Sequence, residues 1–142
     1  MKSLFLAGWM VFWGVFAVAA DVKDGAPVRV RLWHQLIYAH REVQAKLIAE
    51  FQKENPDIVI ESIYRETEAL RSGFQSAALV GGGPEIVQGP SDQVGPLSVM
   101  GLLAPMDEYF TPKDLTDFDS SALIRVHDQL LMVGDTVGNH LS

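Results

Sequence analysis

The sequence predicts an α/β fold, a mostly parallel sheet with helices on both faces. Three observations carry that expectation. Runs of period-two alternation at 28–33 and 58–64 read as strands. Runs of helical spacing follow them, at 43–51 and 66–80. Turn-forming clusters, Asn55-Pro56-Asp57 and Gly81-Gly82-Gly83-Pro84, stop each helix before the next strand. Strand and helix in strict alternation argue for parallel neighbours joined by crossovers.

The elements follow in order. Val28-Arg29-Val30-Arg31-Leu32-Trp33 alternates apolar and charged side chains, and a polar stretch runs from His34 to His40. In the first helix Val43, Leu47, Ile48 and Phe51 form the apolar stripe, with Glu42, Lys46, Glu50 and Lys53 opposite. In the second strand Ile58, Ile60, Ser62 and Tyr64 share one face and Val59, Glu61 and Ile63 the other. The second helix, Glu66 to Val80, points Leu70, Phe74, Ala77 and Ala78 inward. A short third strand surrounds Ile86-Val87, and Gly89-Pro90-Ser91-Asp92 is a turn. Ser91 or Asp92 is positioned to cap a third helix to about Met100, with Pro96 in its first turn. Leu102 to Met106 is an apolar connector. A helix is expected within 119–126, a turn at His127-Asp128-Gln129, a fourth strand at Leu130-Leu131-Met132-Val133 and a fifth within 137–141.

With 142 residues the chain suffices for one modest domain with a core. Lys2, an uncharged run from Leu4 to Ala20 and the small residues before Asp21 have the order of a secretory signal peptide, so residues 1–20 are expected to direct export and to be removed after Ala19 or Ala20. A retained span is the competing reading, at the short limit for one. Residues 21–27 form a polar lead-in to the body of the chain at 28–142. The absence of cysteine excludes disulfides, thiolate metal sites and a cysteine nucleophile. Without Lys2 there remain 10 basic and 18 acidic residues, a formal charge of −8 with no basic cluster, which argues against nucleic acid as a partner.

Ligands of open α/β sheets sit beyond the carboxyl ends of the strands, where the strand order reverses. That rule selects the loops Trp33-His34-Gln35, Tyr64-Arg65-Glu66 and Gln88-Gly89-Pro90-Ser91-Asp92. Two aromatic rings among hydrogen-bonding side chains suit a neutral, hydroxyl-rich ligand. The competing reading makes Trp33 and Tyr64 strand-end core residues with solvated polar neighbours. Gly81-Gly82-Gly83-Pro84 lacks the Lys-Ser/Thr of a phosphate loop, and Ser91 is not in a nucleophile elbow. The histidines, His34, His40, His127 and His140, form no helical metal motif, although His34 and His40 flank one loop. Asp107-Glu108 and Asp117-Asp119 have the placement of capping or solvated carboxylates.

Several stretches together resemble the extracellular sugar-binding proteins of ABC importers, the maltose-binding type. Leu32-Trp33-His34, then Leu47-Ile48-Ala49-Glu50-Phe51 and Asn55-Pro56-Asp57-Ile58-Val59-Ile60, match the family opening of strand, helix ending in F-x-x-x-x-P, and strand. Ala77-Ala78 through Gly82-Gly83-Pro84-Glu85-Ile86-Val87 resembles A-x-x-G-x-x-P-D-I-V. Gly101 to Met106 resembles G-L-L-x-P-L, and Asp128 to Asn139 resembles D-G-K-L-Y-G-V-P-x-x-V-G-N. Glu85 replaces an aspartate, Gly134 a proline, and Leu131-Met132 a Tyr-Gly pair.

The resemblance implies two α/β lobes closing on a sugar and delivering it to a membrane permease, with no cofactor and no catalysis. It makes 28–142 an incomplete N-terminal lobe that ends near the first crossing between lobes. An exported, periplasmic location is implied. Ligand contacts carried across are Trp33, His34 and Gln35; Arg65 and Glu66; Ser91 and Asp92; and Asn139. Trp33 is expected to stack on a sugar ring. Two other functions compete: an exported hydrolase or metal-dependent enzyme using His34, His40 and Asp92, and a binding protein of the same fold for a non-sugar solute.

Overall fold

The computed structural model describes residues 25–135. The expected signal segment, the lead-in up to residue 24, the strand within 137–141 and Asn139 lie outside the described residues. Three parallel strands form the main sheet: β1 (Val28–His34), β2 (Ile58–Tyr64) and β3 (Ile86–Gln88), in the order β2-β1-β3. Helices α1 (Tyr38–Glu54) and α2 (Thr67–Leu79) make the two crossovers. The chain steps to one side of β1 to make β2 and to the other side to make β3. Crossovers of one hand then place the two helices on opposite faces. The side chains agree. Gln44 of α1 bonds Ser62 and Gln88, which share a face with Leu32 and His34. Leu70 and Phe74 of α2 pack on Trp33 and Val87, which point the other way.

The core is small and sits at the carboxyl end of the sheet. Trp33, Leu70, Phe74 and Leu97 are buried together, and Ala77, Ala78, Val87, Leu102 and Leu103 pack around them. The inward residues expected of α2 are thus the ones that face the core. The opposite end of that sheet face is charged: Arg29 pairs with Glu61 at 2.5 Å, and Arg31 with Glu85 at 2.6 Å.

Two helix stops explain how the chain turns back. Gly81 and Gly83 have φ of +73° and +102°. The Gly81 amide donates to the Ala78 carbonyl and the Gly82 amide to that of Ala77, which satisfies the last carbonyls of α2. Gly101, φ +67°, ends α3 (Val94–Val99) in the same way: its amide reaches Ser98, and that of Leu102 reaches Leu97.

Several expectations are corrected. Residues 119–126 are not a helix. Asp119 accepts hydrogen bonds from the Ser121 amide and hydroxyl, sustaining one 3-10 turn (Ser120–Ala122). Strand β4 (Leu123–Val126) follows and pairs antiparallel with β5 (Gln129–Val133). His127 and Asp128 both take left-handed φ, 50° and 65°, the geometry of a tight two-residue hairpin turn. The fourth expected strand therefore belongs to a separate two-stranded sheet. Asp107 ties this hairpin down, accepting from the Leu130 amide at 2.8 Å and from Arg125 at 2.8 Å. Those bonds hold its carboxyl below the usual range, the Leu130 amide contributing most.

Helix α1 begins at Tyr38, inside the stretch expected to be polar loop. It also turns a different face to the sheet. Val43, Leu47 and Phe51 are exposed, while Gln44, Ile48 and Gln52 are half-buried. Gln52 accepts from the Ile60 amide at the outer edge of β2, and Gln44 bridges β2 and β3. These three polar contacts set the rotation of the helix. Neither Ser91 nor Asp92 caps α3 through its side chain. They form a 3-10 turn (Ser91–Gln93) that feeds directly into it, with Pro96 in the first turn.

Glu85 carries a testable pH dependence. One carboxylate oxygen accepts from the Arg31 backbone amide at 2.7 Å, and the carboxylate also grips the Arg31 guanidinium at 2.6 and 3.1 Å. The guanidinium bond, chiefly, lowers its pKa from 4.5 to about 2. A carboxylate depressed in the folded state stabilises fully above its unfolded pKa and loses that contribution as pH falls through the folded value. The window is therefore about pH 4.5 down to 2. Glu85→Gln is expected to flatten the dependence of the urea midpoint on pH in that window. An unchanged slope would show that the pair contributes nothing net.

Candidate functional site

The strand order β2-β1-β3 reverses at β1, so the switch point lies beyond the carboxyl ends of β1 and β3. The carboxyl ends of the strands and the loops after them supply all of the sequence-selected residues that are described.

His34 ends β1 and is 3% exposed. Its carbonyl accepts from the Arg65 amide at 2.8 Å, which locks the loop after β1 to the loop after β2. Its Nδ1 accepts from the Leu36 amide at 3.3 Å, holding the start of the Gln35–Ile37 loop. Burial first, then the Arg41 charge, pushes the imidazole pKa below its ordinary value. The neutral ring suits an Nδ1 that must accept. Its centroid lies 5.9 Å from that of Tyr64, tilted by 58°.

Trp33 is 9% exposed, part of the core, and the Arg65 guanidinium lies 3.8 Å above its ring. Trp33, expected to stack on a ligand ring, has one face covered by a cation and its side chain among Leu70, Phe74 and Leu97. The aromatic ring left exposed at the edge is Tyr64, and the Arg41 guanidinium stacks over it at 4.0 Å.

Glu66 is also occupied. Its carboxylate accepts from the amides of Glu68 and Ala69 at 3.0 and 3.4 Å and caps α2. Gln35 is half-buried with no donor for its Oε1, and Arg65 is half-buried with no acceptor for its Nε. Ser91 and Asp92 are exposed on the turn after β3. The structure thus joins Trp33, His34, Gln35, Arg65 and Glu66 through direct contacts or chain continuity. Ser91 and Asp92 stand at the next strand end, on the other side of β1.

Buried polar atoms without partners concentrate at this end of the sheet: Trp33 Nε1, Gln35 Oε1, Arg41 Nε and Arg65 Nε. A polar atom withdrawn from water without a hydrogen bond is costly. These four atoms lie at the same end of the sheet as the three loops. No group of three His, Asp or Glu able to hold a metal occurs among the described residues. His34 and His40 do not converge on one: His34 is buried and His40 exposed. No described helix is long and apolar enough to cross a membrane.

Sequence reasoning did not single out Arg41. The signal was available. It is a cation in the first turn of α1, a turn with no acidic residue, where the helix dipole disfavours positive charge.

The family described as bacterial extracellular solute-binding protein matches residues 39–125. The maltotriose-binding protein of Pyrococcus abyssi (strain GE5 / Orsay) is 29% identical over 90 residues, covering 63% of this chain and 19% of that protein. Among solved structures, the maltose/maltodextrin-binding domain MalE from Bdellovibrio bacteriovorus bound to maltotriose superposes with a TM-score of 0.72 and 50% identity, over 76% of this chain and 28% of that one. The Thermus thermophilus maltotriose-binding protein bound with maltotriose has a TM-score of 0.66 and 20% identity, over 72% and 28%, a likeness of fold. The chain thus spans between about a fifth and under a third of the length of these relatives.

Proposed function

The chain belongs to the bacterial extracellular solute-binding proteins, and from that premise we propose that it forms one wall of an oligosaccharide site in a carbohydrate ABC importer. The ligand class is maltodextrin-like. The observation that carries this reading is the 50% identity, over 76% of this chain, with a domain bound to maltotriose. The geometry supports it: three strand-end loops converge at a switch point, and their buried donors and acceptor lack partners.

In this reading Gln35, Arg65, Ser91 and Asp92 meet sugar hydroxyls. Trp33 holds Arg65 in place, His34 fixes the loop after β1, and Glu66 anchors the start of α2. Asn139 adds a contact from the chain beyond the hairpin. The protein is exported to the periplasm and non-catalytic. It contributes part of the N-terminal lobe of a two-lobed receptor that presents its ligand to membrane permease subunits.

Titrating the full chain with maltotriose, followed by amide chemical shifts, tests the reading. Shifts are expected at residues 33–37, 65–67 and 89–92, with affinity no tighter than about millimolar for a single wall. The same titration with an unrelated polyol should leave those amides in place. Absence of any shift up to tens of millimolar sugar would overturn the reading.

A further inference from the structure

We propose that Arg41 is a ligand contact in this site, and that it reads a pair of adjacent oxygens on the saccharide. The inference rests on the oligosaccharide reading of the same loops and extends it to a residue outside them, in the first turn of α1.

Four arginines find carboxylates within the fold: Arg29 with Glu61, Arg31 with Glu85, Arg71 with Glu68 and Arg125 with Asp107. Arg41 and Arg65 pair with none among the described residues. Both are instead held flat against aromatic rings at the carboxyl edge of the sheet, Arg41 over Tyr64 at 4.0 Å and Arg65 over Trp33 at 3.8 Å. Both have a buried Nε with no acceptor. The two arginines without carboxylate partners among the described residues thus lie at one end of one sheet, each stacked on a ring.

Stacking fixes the plane of a guanidinium, and so the direction of its terminal N–H groups. Those groups form a parallel fork, matched to two oxygens side by side. Tyr64 supplies the platform for Arg41, and His34, with its ring centroid 5.9 Å from that of Tyr64 and its pKa lowered by burial, adds no second cation. Because the ring already limits the side chain, little rotamer freedom is left to lose on binding.

Two sources can present such an oxygen pair: the vicinal hydroxyls of a neutral sugar, or the carboxylate of an acidic one. Calorimetric or shift titration of the full chain with maltotriose and, separately, with trigalacturonate distinguishes them. Arg41→Met is expected to weaken the bound saccharide by about tenfold to a hundredfold. Arg41→Lys is expected to recover little of it, since an ammonium offers no fork. Thermal midpoints of both variants should stay near that of the parent, because among the described residues the Arg41 side chain has no partner except the Tyr64 ring.

Loss with maltotriose supports the inference with a diol as the source. Loss with trigalacturonate alone supports it with a carboxylate as the source, and overturns the maltodextrin assignment. Binding of either sugar that is indifferent to Arg41→Met overturns the inference and leaves the proposed function standing. If the parent chain binds neither, both fall together.

Discussion

Replacing Trp33 with alanine is expected to destabilise the chain by about 3–5 kcal/mol. Trp33 is the largest side chain in a core of four buried residues, and removing it leaves Leu70, Phe74 and Leu97 facing a cavity. The Arg65 guanidinium loses the ring it rests on as well. Against a total of roughly 5–15 kcal/mol for a typical domain, the loss is a large fraction of what holds the sheet and α2 together. Urea unfolding followed by circular dichroism measures it. Trp33→Phe separates packing from ligand contact. The smaller ring is expected to keep the fold and most of the saccharide affinity. A Trp33→Phe chain that melts like the parent but no longer binds maltotriose would restore Trp33 as a direct contact.

Leu130→Ala is expected to cost about 2–5 kcal/mol, through a different part of the molecule. Leu130 is completely buried. Its amide donates to Asp107 at 2.8 Å, and its carbonyl accepts from the Met106 amide at 2.7 Å, so the side chain sits where the hairpin is fastened to the connector. Leu130→Met, which conserves volume, should cost less than about 1.5 kcal/mol. Equal effects of the two variants would mean that the site collapses around whatever it is given, and that the hydrogen bonds alone hold the hairpin.

The two βαβ units were legible because local signals agreed with tertiary packing. The alternation in 28–33 and 58–64, the inward set Leu70, Phe74, Ala77 and Ala78, and the glycine stop after Val80 are each enforced by short-range chemistry. The rotation of α1 was not legible. Apolar spacing nominated Val43, Leu47 and Phe51, but Gln44 and Gln52 hold the helix through hydrogen bonds to strands that are distant in sequence. The β4–β5 hairpin was hidden for a related reason. Leu123 to Val126 carries no strict alternation, and its strand character comes from a partner across two residues with left-handed φ. At the candidate site, strand-end position singled out loops that do lie at the carboxyl ends of β1, β2 and β3. It could not foresee that Trp33 would point into the core, that the Glu66 carboxylate would cap α2, or that Arg41 would arrive from α1.

The separate hairpin also sets an order in time. Strands β4 and β5 are joined by two residues, and hairpins of that kind close in about 1–10 μs. The main sheet must bring β1 against partners whose contacts lie 32 and 54 residues away, as Arg29–Glu61 and Arg31–Glu85 do. Long closures of this sort slow the search. The hairpin is therefore expected to exist before the sheet whose edge it will border. The bonds from Asp107 to Leu130 and Arg125 then join an early-formed piece to the chain that precedes it, and the three-stranded sheet assembles last, around β1.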